Sequence, residues 1–368
     1  MLAPVKTLAH RVSLYLRRPN SPSSGSTSDV AQASDDGRPS LSQDSHTSED
    51  GQSGCFSSSE EDDLQLVTLI QAATPQTSKC GSFIIDKSVA TKQTNFPVAS
   101  GGLGDVYKCT LNSGATLEEV AVKSPRFPSL TDAEIAKINR NLDREIKIWT
   151  TLDHQYVLCL HGTVTGFGPF RALVSPWMPN GTLNSYLARL HETLTTTDRL
   201  RILQQITEGL KYLHDNNVIH GDLTSNNVLV DTDRSPRLAD FGVSNIMVES
   251  NPAFSYQTGA VRWAAPELIV LHDGKTVPCA TKSSDVYALG CIMLQVLYGK
   301  PPYWWIKTAL QVMALKFKYQ EPINNTMHIQ AYYLDFMRRC WSVEGEKRPS
   351  VEEVLVFLEK AISSGASP

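Results

Sequence analysis

The seven cysteines contain no Cys-x-x-Cys pair and no cysteine–histidine spacing of the metal-binding kind; they are scattered and odd in number. That argues against a zinc site and fits reduced thiols in a cytoplasmic or nuclear compartment. Long apolar runs are missing too. The longest, Val286–Tyr298 around Gly290, is too short to span a bilayer and reads as a buried core helix. There is no excess of positive charge. A formal net charge of −4 leaves no reason to expect nucleic acid or an anionic membrane as partner. No secretory pattern with a cleavage site occurs at the start, and no serine or cysteine nucleophile pairs with His220. What is present is an ordinary hydrophobic content of 41% over 368 residues, enough for a real core but unevenly spread.

The unevenness sets the organisation. Residues 1–18 are basic and loosely amphipathic, without an acid. A transit peptide or membrane-surface helix shares that composition, but a plain disordered start is the favoured reading. Residues 19–63 are rich in serine, acids and glycine and almost without large apolar side chains. Such a stretch cannot bury enough surface to offset its ordering entropy, so 1–63 is expected to be a disordered tail. Ser57–Asp63 suits a phosphoacceptor run for an acid-directed kinase, or a solvated spacer, and regulatory partners of the tail are one use for it. Residues 64–94 form a lead-in, with Leu64–Ile70 as an element that packs onto the domain.

The centre of the chain is Val218–Gly242. Two short apolar runs, Val228–Val230 and Arg237–Ala239, flank a turn-forming polar stretch and predict a tight β-hairpin. Asp222 and Asn227 precede the first strand and Asp240 follows the second. Folding the hairpin returns all three to one end of it, where their oxygens suit Mg²⁺, a hard cation that keeps water and phosphates in its shell. A carboxylate beside that metal can accept a proton from a hydroxyl.

These residues carry a resemblance. His220-Gly221-Asp222-Leu223-Thr224-Ser225-Asn226-Asn227 resembles the catalytic loop of eukaryotic protein kinases. Asp240-Phe241-Gly242 is similar to their metal-binding triplet, and Ala265-Pro266-Glu267 to the triplet that closes the activation segment. The Gly-Asp-Leu-Thr loop and Trp263 place the likeness in the tyrosine-kinase-like group, some fungal members of which share that loop. The resemblance implies an α+β, bilobal protein-kinase-like fold: a small β-rich lobe with one helix over 95–174, a hinge at 175–181, and a larger, mostly helical lobe over 182–362. Residues 363–368 are left as a tail.

Upstream, Pro97–Lys108 reads as a Gly-rich β-hairpin in which Ala99 stands for the first glycine of the family pattern, while Gly101 and Gly104 match the second and third. Glycines let backbone N–H groups approach phosphate oxygens. Glu118–Lys123 alternates as a half-buried strand. Thr131-Asp132-Ala133-Glu134 is a capping box opening a helix with Ile135, Ile138, Leu142, Ile146 and Trp149 on one stripe. Glu145 lies on that stripe, where an ionised carboxylate is costly unless paired, and Lys123 is the cation that explains it. Val157–Leu160 and Arg171–Val174 read as short strands, Leu183–Leu190 and Arg199–His214 as helices.

The resemblance then assigns roles. Asp222 accepts the proton of the acceptor hydroxyl, with Lys123 and Glu145 as the phosphate-positioning pair. Asn227 and Asp240 hold Mg²⁺. Ala99, Ser100, Gly101, Gly102, Gly104, Val106, Ala121, Lys123, Pro176, Met178 and Leu229 bind ATP; Ser175 falls at the gatekeeper and implies an open back pocket. His220 reads as a packed support for Asp222 and Phe241, Asp285 as a brace for the loop backbone, and Arg348 as the partner of Glu267. Ser283–Tyr287 is expected to cap the buried helix, and Leu271–Pro278 to be a modest insertion.

Three residues depart from the family pattern: Gly221 replaces an arginine, Thr224 a lysine near the γ-phosphate, and Ala260 a threonine. A phosphorylated activation loop would lack its arginine partner, so activation without such a phosphate is expected. The function expected is transfer of a phosphoryl group from Mg²⁺-ATP to a protein substrate, serine or threonine ahead of tyrosine. The alternative is a nucleotide-binding scaffold that transfers phosphate poorly.

Overall fold

The computed structural model describes residues 84–101, 104–114, 116–126, 131–168, 170–241, 260–269, 279–324 and 326–365, without the side chains of residues 132–134, 137, 141, 144 and 145. The tail over 1–63, the element at 64–70, Gly102, Gly242, the activation-loop stretch up to 259 and the insertion at 271–278 lie outside the described residues, as do the capping-box side chains and that of Glu145.

Among the described residues six antiparallel strands form the sheet of the smaller lobe: β1 (Ala90–Lys92), β2 (Ala99–Gly101), β3 (Gly104–Asn112), β4 (Leu117–Pro125), β5 (Gly162–Val164) and β6 (Ala172–Pro176). Their order is β1-β3-β4-β6-β5, with β2 paired to β3. The alternation along β4 explains its place. Val120 and Val122 face inward, where they meet Cys109, Val164, Ala172 and Val174, while Ala121 and Lys123 face the other way, half-buried. Period-2 burial of this kind fixes the register, because a one-residue slip would turn every apolar side chain outward. Residues 84–92, part of the expected lead-in, belong to this sheet: Ile85 N–H donates to the Thr163 carbonyl and β1 pairs with β3.

Helix α1 (Asp132–Thr151) buries Ile138, Leu142, Ile146 and Trp149, the stripe expected from its spacing. Val157–Leu160, by contrast, is not a strand. It is buried, but its backbone turns back on itself, Val157 N–H donating to His154, and Leu158 N–H donates to Leu238. An apolar run this short does not distinguish a ladder strand from a packed loop; the ladder strand is β5 instead.

The larger lobe contains α2 (Leu183–Leu190), α3 (Thr196–Asp215), the β7–β8 hairpin (Val228–Val230 and Pro236–Leu238), α4 (Lys282–Tyr298), α5 (Ala309–Lys316), α6 (Ala331–Cys340) and α7 (Val351–Ser364). α4 is buried on every side from Ser284 to Leu297, which is why its sequence shows a continuous apolar run rather than a stripe. α3 packs against α4 and α7. The cap of α4 is Thr281, not the Ser283–Tyr287 stretch: its hydroxyl accepts from Ser284 N–H, and Ser284 returns the bond to Thr281 N–H. The final helix runs to Ser364, beyond the expected end at 362.

No helix among the described residues is long and apolar enough to cross a membrane. Cys109, Cys291 and Cys340 are free and buried. Cys159 and Cys279 are disulfide-bonded, which corrects the expectation that all seven cysteines are thiols.

Candidate active site

The site is assembled on the first turns of α4. Asp285, 2% exposed, projects from there toward the end of α3. Its carboxylate accepts hydrogen bonds from His220 N–H (2.8 Å), Gly221 N–H (2.9 Å) and the His214 ring (2.9 Å). Three donors on one buried carboxylate satisfy its lone pairs and hold the loop backbone in place. Gly221 sits at φ +75°, the left-handed region that a side chain reaches only with strain. This explains the glycine in a way the motif comparison did not.

The loop so fixed presents Asp222. Asn227 Nδ2 donates to both the Asp222 carbonyl and its Oδ2, each at 2.8 Å. That commits the amide nitrogen and leaves Oδ1 for another partner. Ala239 N–H donates to the Asn227 carbonyl (2.8 Å), so the β7–β8 hairpin returns Asp240 beside Asn227 as expected. Desolvation pushes the Asp222 carboxyl up to about 7, with Asp240 adding to the rise and Asn227 and Lys123 opposing it.

Asp240 has φ +62°. At that turn its carboxylate goes one way, to Lys123 Nζ at 2.5 Å. Phe241 goes the other, into the core, with its ring 4.9 Å from Trp149 and 6.2 Å from His220. His220 is fully buried, and neither ring nitrogen has a hydrogen-bond partner. Burial lowers its pKa and keeps it neutral. It packs, as expected, and is not placed as a base. Lys123 is therefore paired with Asp240; the expected Lys123–Glu145 pair involves a side chain outside the described residues.

The nucleotide side follows the same order. Ala99 pairs with Val106, Ser100 with Asp105 and Gly101 with Gly104, so β2 and β3 form the expected Gly-rich hairpin. Gly104 has no alternative, because a Cβ there would lie 2.1 Å from the Ser124 carbonyl oxygen. Val106 is paired with Lys123, and Ala121 with Ser175 on β6. Pro176 ends β6. Trp177 N–H donates back to Glu119, and Gly181 N–H donates to the Met178 carbonyl. The Met178 N–H has no protein acceptor among the described residues, as a hinge donor for a base requires. Leu229 is half-buried on β7, bridged to Thr182.

The oxygen-only donor set of Asn227 and Asp240 fits Mg²⁺. Among the described residues no group of three His, Cys, Asp or Glu side chains forms a cage of its own. Glu267 receives a two-pronged bond from Arg348, 2.6 and 2.8 Å, tying the end of the 260–269 segment to the start of α7. Sequence reasoning missed two further cations, Arg262 and Lys316, both bound to main-chain carbonyls. A lysine following Val312 and Met313 at helical spacing was the available signal.

Comparison with known proteins agrees with this geometry. Residues 93–358 match the family model described as protein tyrosine and serine/threonine kinase. Ephrin type-A receptor 5 of Homo sapiens is 30% identical over 276 residues, covering 73% of this chain and 25% of that receptor. Ephrin type-B receptor 1 of Gallus gallus is 30% identical over 277 residues, covering 73% of this chain and 27% of that receptor. The chain thus spans about a quarter of the length of the curated relatives it matches.

Proposed function

The chain belongs to the protein tyrosine and serine/threonine kinase family, and on that premise we propose that its cleft transfers the γ-phosphoryl group of ATP to a protein hydroxyl, serine or threonine ahead of tyrosine. A domain of this family implies ATP and Mg²⁺. The observation that carries the reading is the convergence of Asp222, Asn227 and Asp240 at one end of the hairpin, with Lys123 facing them from the sheet. When bound, Mg²⁺-ATP supplies the transferable group and the charge that neutralises it. The protein's own residues align the partners. Asp222, held by Asn227, accepts the acceptor's proton, and a carboxyl near 7 is poised for that at neutral pH. Lys123, bound to Asp240 in this structure, would meet phosphate oxygens of the nucleotide, and Asn227 and Asp240 would hold the metal. The preference for serine or threonine rests on the likeness to the tyrosine-kinase-like group and on a loop, 220–227, that holds no arginine.

One observation favours a second reading. Thr224, where the resemblance expects a lysine near the γ-phosphate, is buried at 4% exposure and accepts a hydrogen bond from Asn226 N–H. The loop offers no cation there, which suits a scaffold that binds nucleotide and transfers poorly. Incubating the full chain with Mg²⁺-ATP and a generic acceptor, beside Lys123→Met, separates the two. A drop of at least about 100-fold in the variant supports transfer; equal incorporation supports the scaffold. Mass-spectrometric mapping of the product reads the acceptor residue.

A further inference from the structure

Residues 260–269 are fastened to the larger lobe by two cations whose partners are not carboxylates. Arg262 donates from Nη1 to the carbonyls of Pro302 (3.1 Å) and Tyr303 (2.6 Å), and from Nη2 to that of Ile306 (2.6 Å). Lys316, fully buried at the end of α5, donates from Nζ to the Ala264 carbonyl (2.6 Å) and the Tyr287 hydroxyl (3.1 Å). The rings of Tyr287 and Tyr303 lie 4.6 and 4.9 Å from the same nitrogen. Val312 and Met313 share its buried face of the helix, so an apolar residue would be the ordinary choice at 316. A buried ammonium there is costly, and carbonyl ligation with ring faces offsets only part of that cost.

Position tells what the cost is for. Tyr287 lies two places from Asp285 on α4, and Asp285 is the residue that holds His220 and Gly221. One helix end thus sets both the catalytic loop and, through Lys316, the Ala264 carbonyl. Among the described residues the segment is held by the 302–306 loop, by Val312, Met313 and Lys316 of α5 and by Arg348, all in the larger lobe. The nucleotide side is built from the sheet, the hinge and Leu229 on β7.

We infer that Lys316 is a positioning residue for the protein acceptor: its ammonium fixes Ala264, and with it the 260–269 segment, relative to Asp222, without acting on nucleotide binding. This rests on the phosphotransferase reading above. The charge also makes the tether sensitive to alkali. Burial pushes the Lys316 amine down to about 8, with Cys291 and Glu267 opposing and Arg348 reinforcing. The other titratable groups packed on it, Tyr287, Tyr303 and Cys291, are pushed upward by burial and stay neutral through that range.

The test measures KM for a generic acceptor and for ATP, from pH 6.5 to 9, in the wild type, Lys316→Met and Tyr287→Phe. At pH 7, Lys316→Met is expected to raise the acceptor KM about tenfold, the size of one hydrogen bond to a charged group, with kcat and the ATP KM within about twofold. The wild-type acceptor kcat/KM falls above about pH 8; that limb is absent in Lys316→Met and moves to lower pH in Tyr287→Phe, which loses an acceptor for the charged form. An unchanged acceptor KM, equal rises in both KM values, or an alkaline limb kept in Lys316→Met overturns the inference. Hydrogen–deuterium exchange of the Trp263 and Ala264 amides, faster in Lys316→Met if the tether is real and unchanged if not, decides the matter even where the wild type transfers no phosphate. In that case the phosphotransferase reading alone has failed. Should Lys316→Met not fold, Tyr287→Phe carries the same readouts with the ring retained.

Discussion

Around the site the two lobes hold their charges in different ways. In the sheet lobe the ion pairs run side chain to side chain: Lys108 with Glu119 and Arg171 with Asp143, both partly exposed, and Lys123, largely buried, reaching across to Asp240. Around the site the helical lobe binds its charges to main chain, with Asp285 and Lys316 buried and Arg262 half-buried, while its surface carries side-chain pairs of its own, such as Lys211 with Asp215 and Arg338 with Glu321. Asp285 takes two backbone N–H groups, Arg262 three carbonyls and Lys316 one. Half-exposed pairs are worth little and exchange partners readily, whereas buried charges held by backbone groups are expensive to disturb. Half of the site is thus adjustable, and half is fixed. On the function proposed above, the nucleotide meets the first and Asp222 stands on the second.

That contrast can be broken by substitution. The largest effect on stability is expected at Asp285: Asp285→Ala removes the acceptor of three buried donors and should cost about 3–5 kcal/mol in chemical denaturation. Lys108→Ala, cutting a surface pair, should cost less than about 1 kcal/mol in the same measurement. Equal losses would erase the distinction between the lobes.

Lys316→Met should go the other way and stabilise. Below about pH 8 the folded chain carries a proton in apolar surroundings, while between about 8 and 10.5 the unfolded chain keeps that proton and the folded chain does not. Stability from this group therefore rises with pH across that window. At pH 7 the penalty is at most about 3 kcal/mol, and the orphaned Ala264 carbonyl takes part of the relief away, leaving a net gain of about 1–2 kcal/mol. Melting curves of both proteins from pH 7 to 10 check the sign: the wild type gains on the variant as pH rises.

A modest effect on stability, above that of Lys108→Ala, belongs to Gly221. Adding a Cβ at φ +75° in Gly221→Ala should cost about 1 kcal/mol, with a measurable fall in transfer rate because the strained peptide adjoins Asp222. A variant as stable and as active as the wild type would mean the left-handed turn is not needed there.

Much of the site was legible because its chemistry is local in sequence. Asp222, Asn227 and Asp240 surround one hairpin, and the turn alone brings them together. Glu267 with Arg348 and Asp285 with the loop backbone were readable only through family likeness, since 81 positions separate the first pair. Lys123 was legible as a cation awaiting an acid, but its pairing with Asp240 was not. The turn at Asp240 brings its carboxylate to Lys123, and that turn was not read from the sequence. Val157–Leu160 was misread because burial without a ladder looks like a strand. The Thr281 cap was overlooked because Ser283, Ser284 and Asp285 are all cap-forming types. Lys316 stayed hidden for a simpler reason: a lysine on a short helix is ordinarily solvated, and only packing shows this one enclosed.

The most direct measurement is phosphoryl transfer by Asp222→Asn, run beside Mg²⁺-ATP binding on the same preparation. With Asp222 as proton acceptor on a fixed loop, binding stays within about threefold of the wild type while transfer falls about 100- to 10,000-fold. Transfer at the wild-type rate with binding intact would contradict the role given to this cleft.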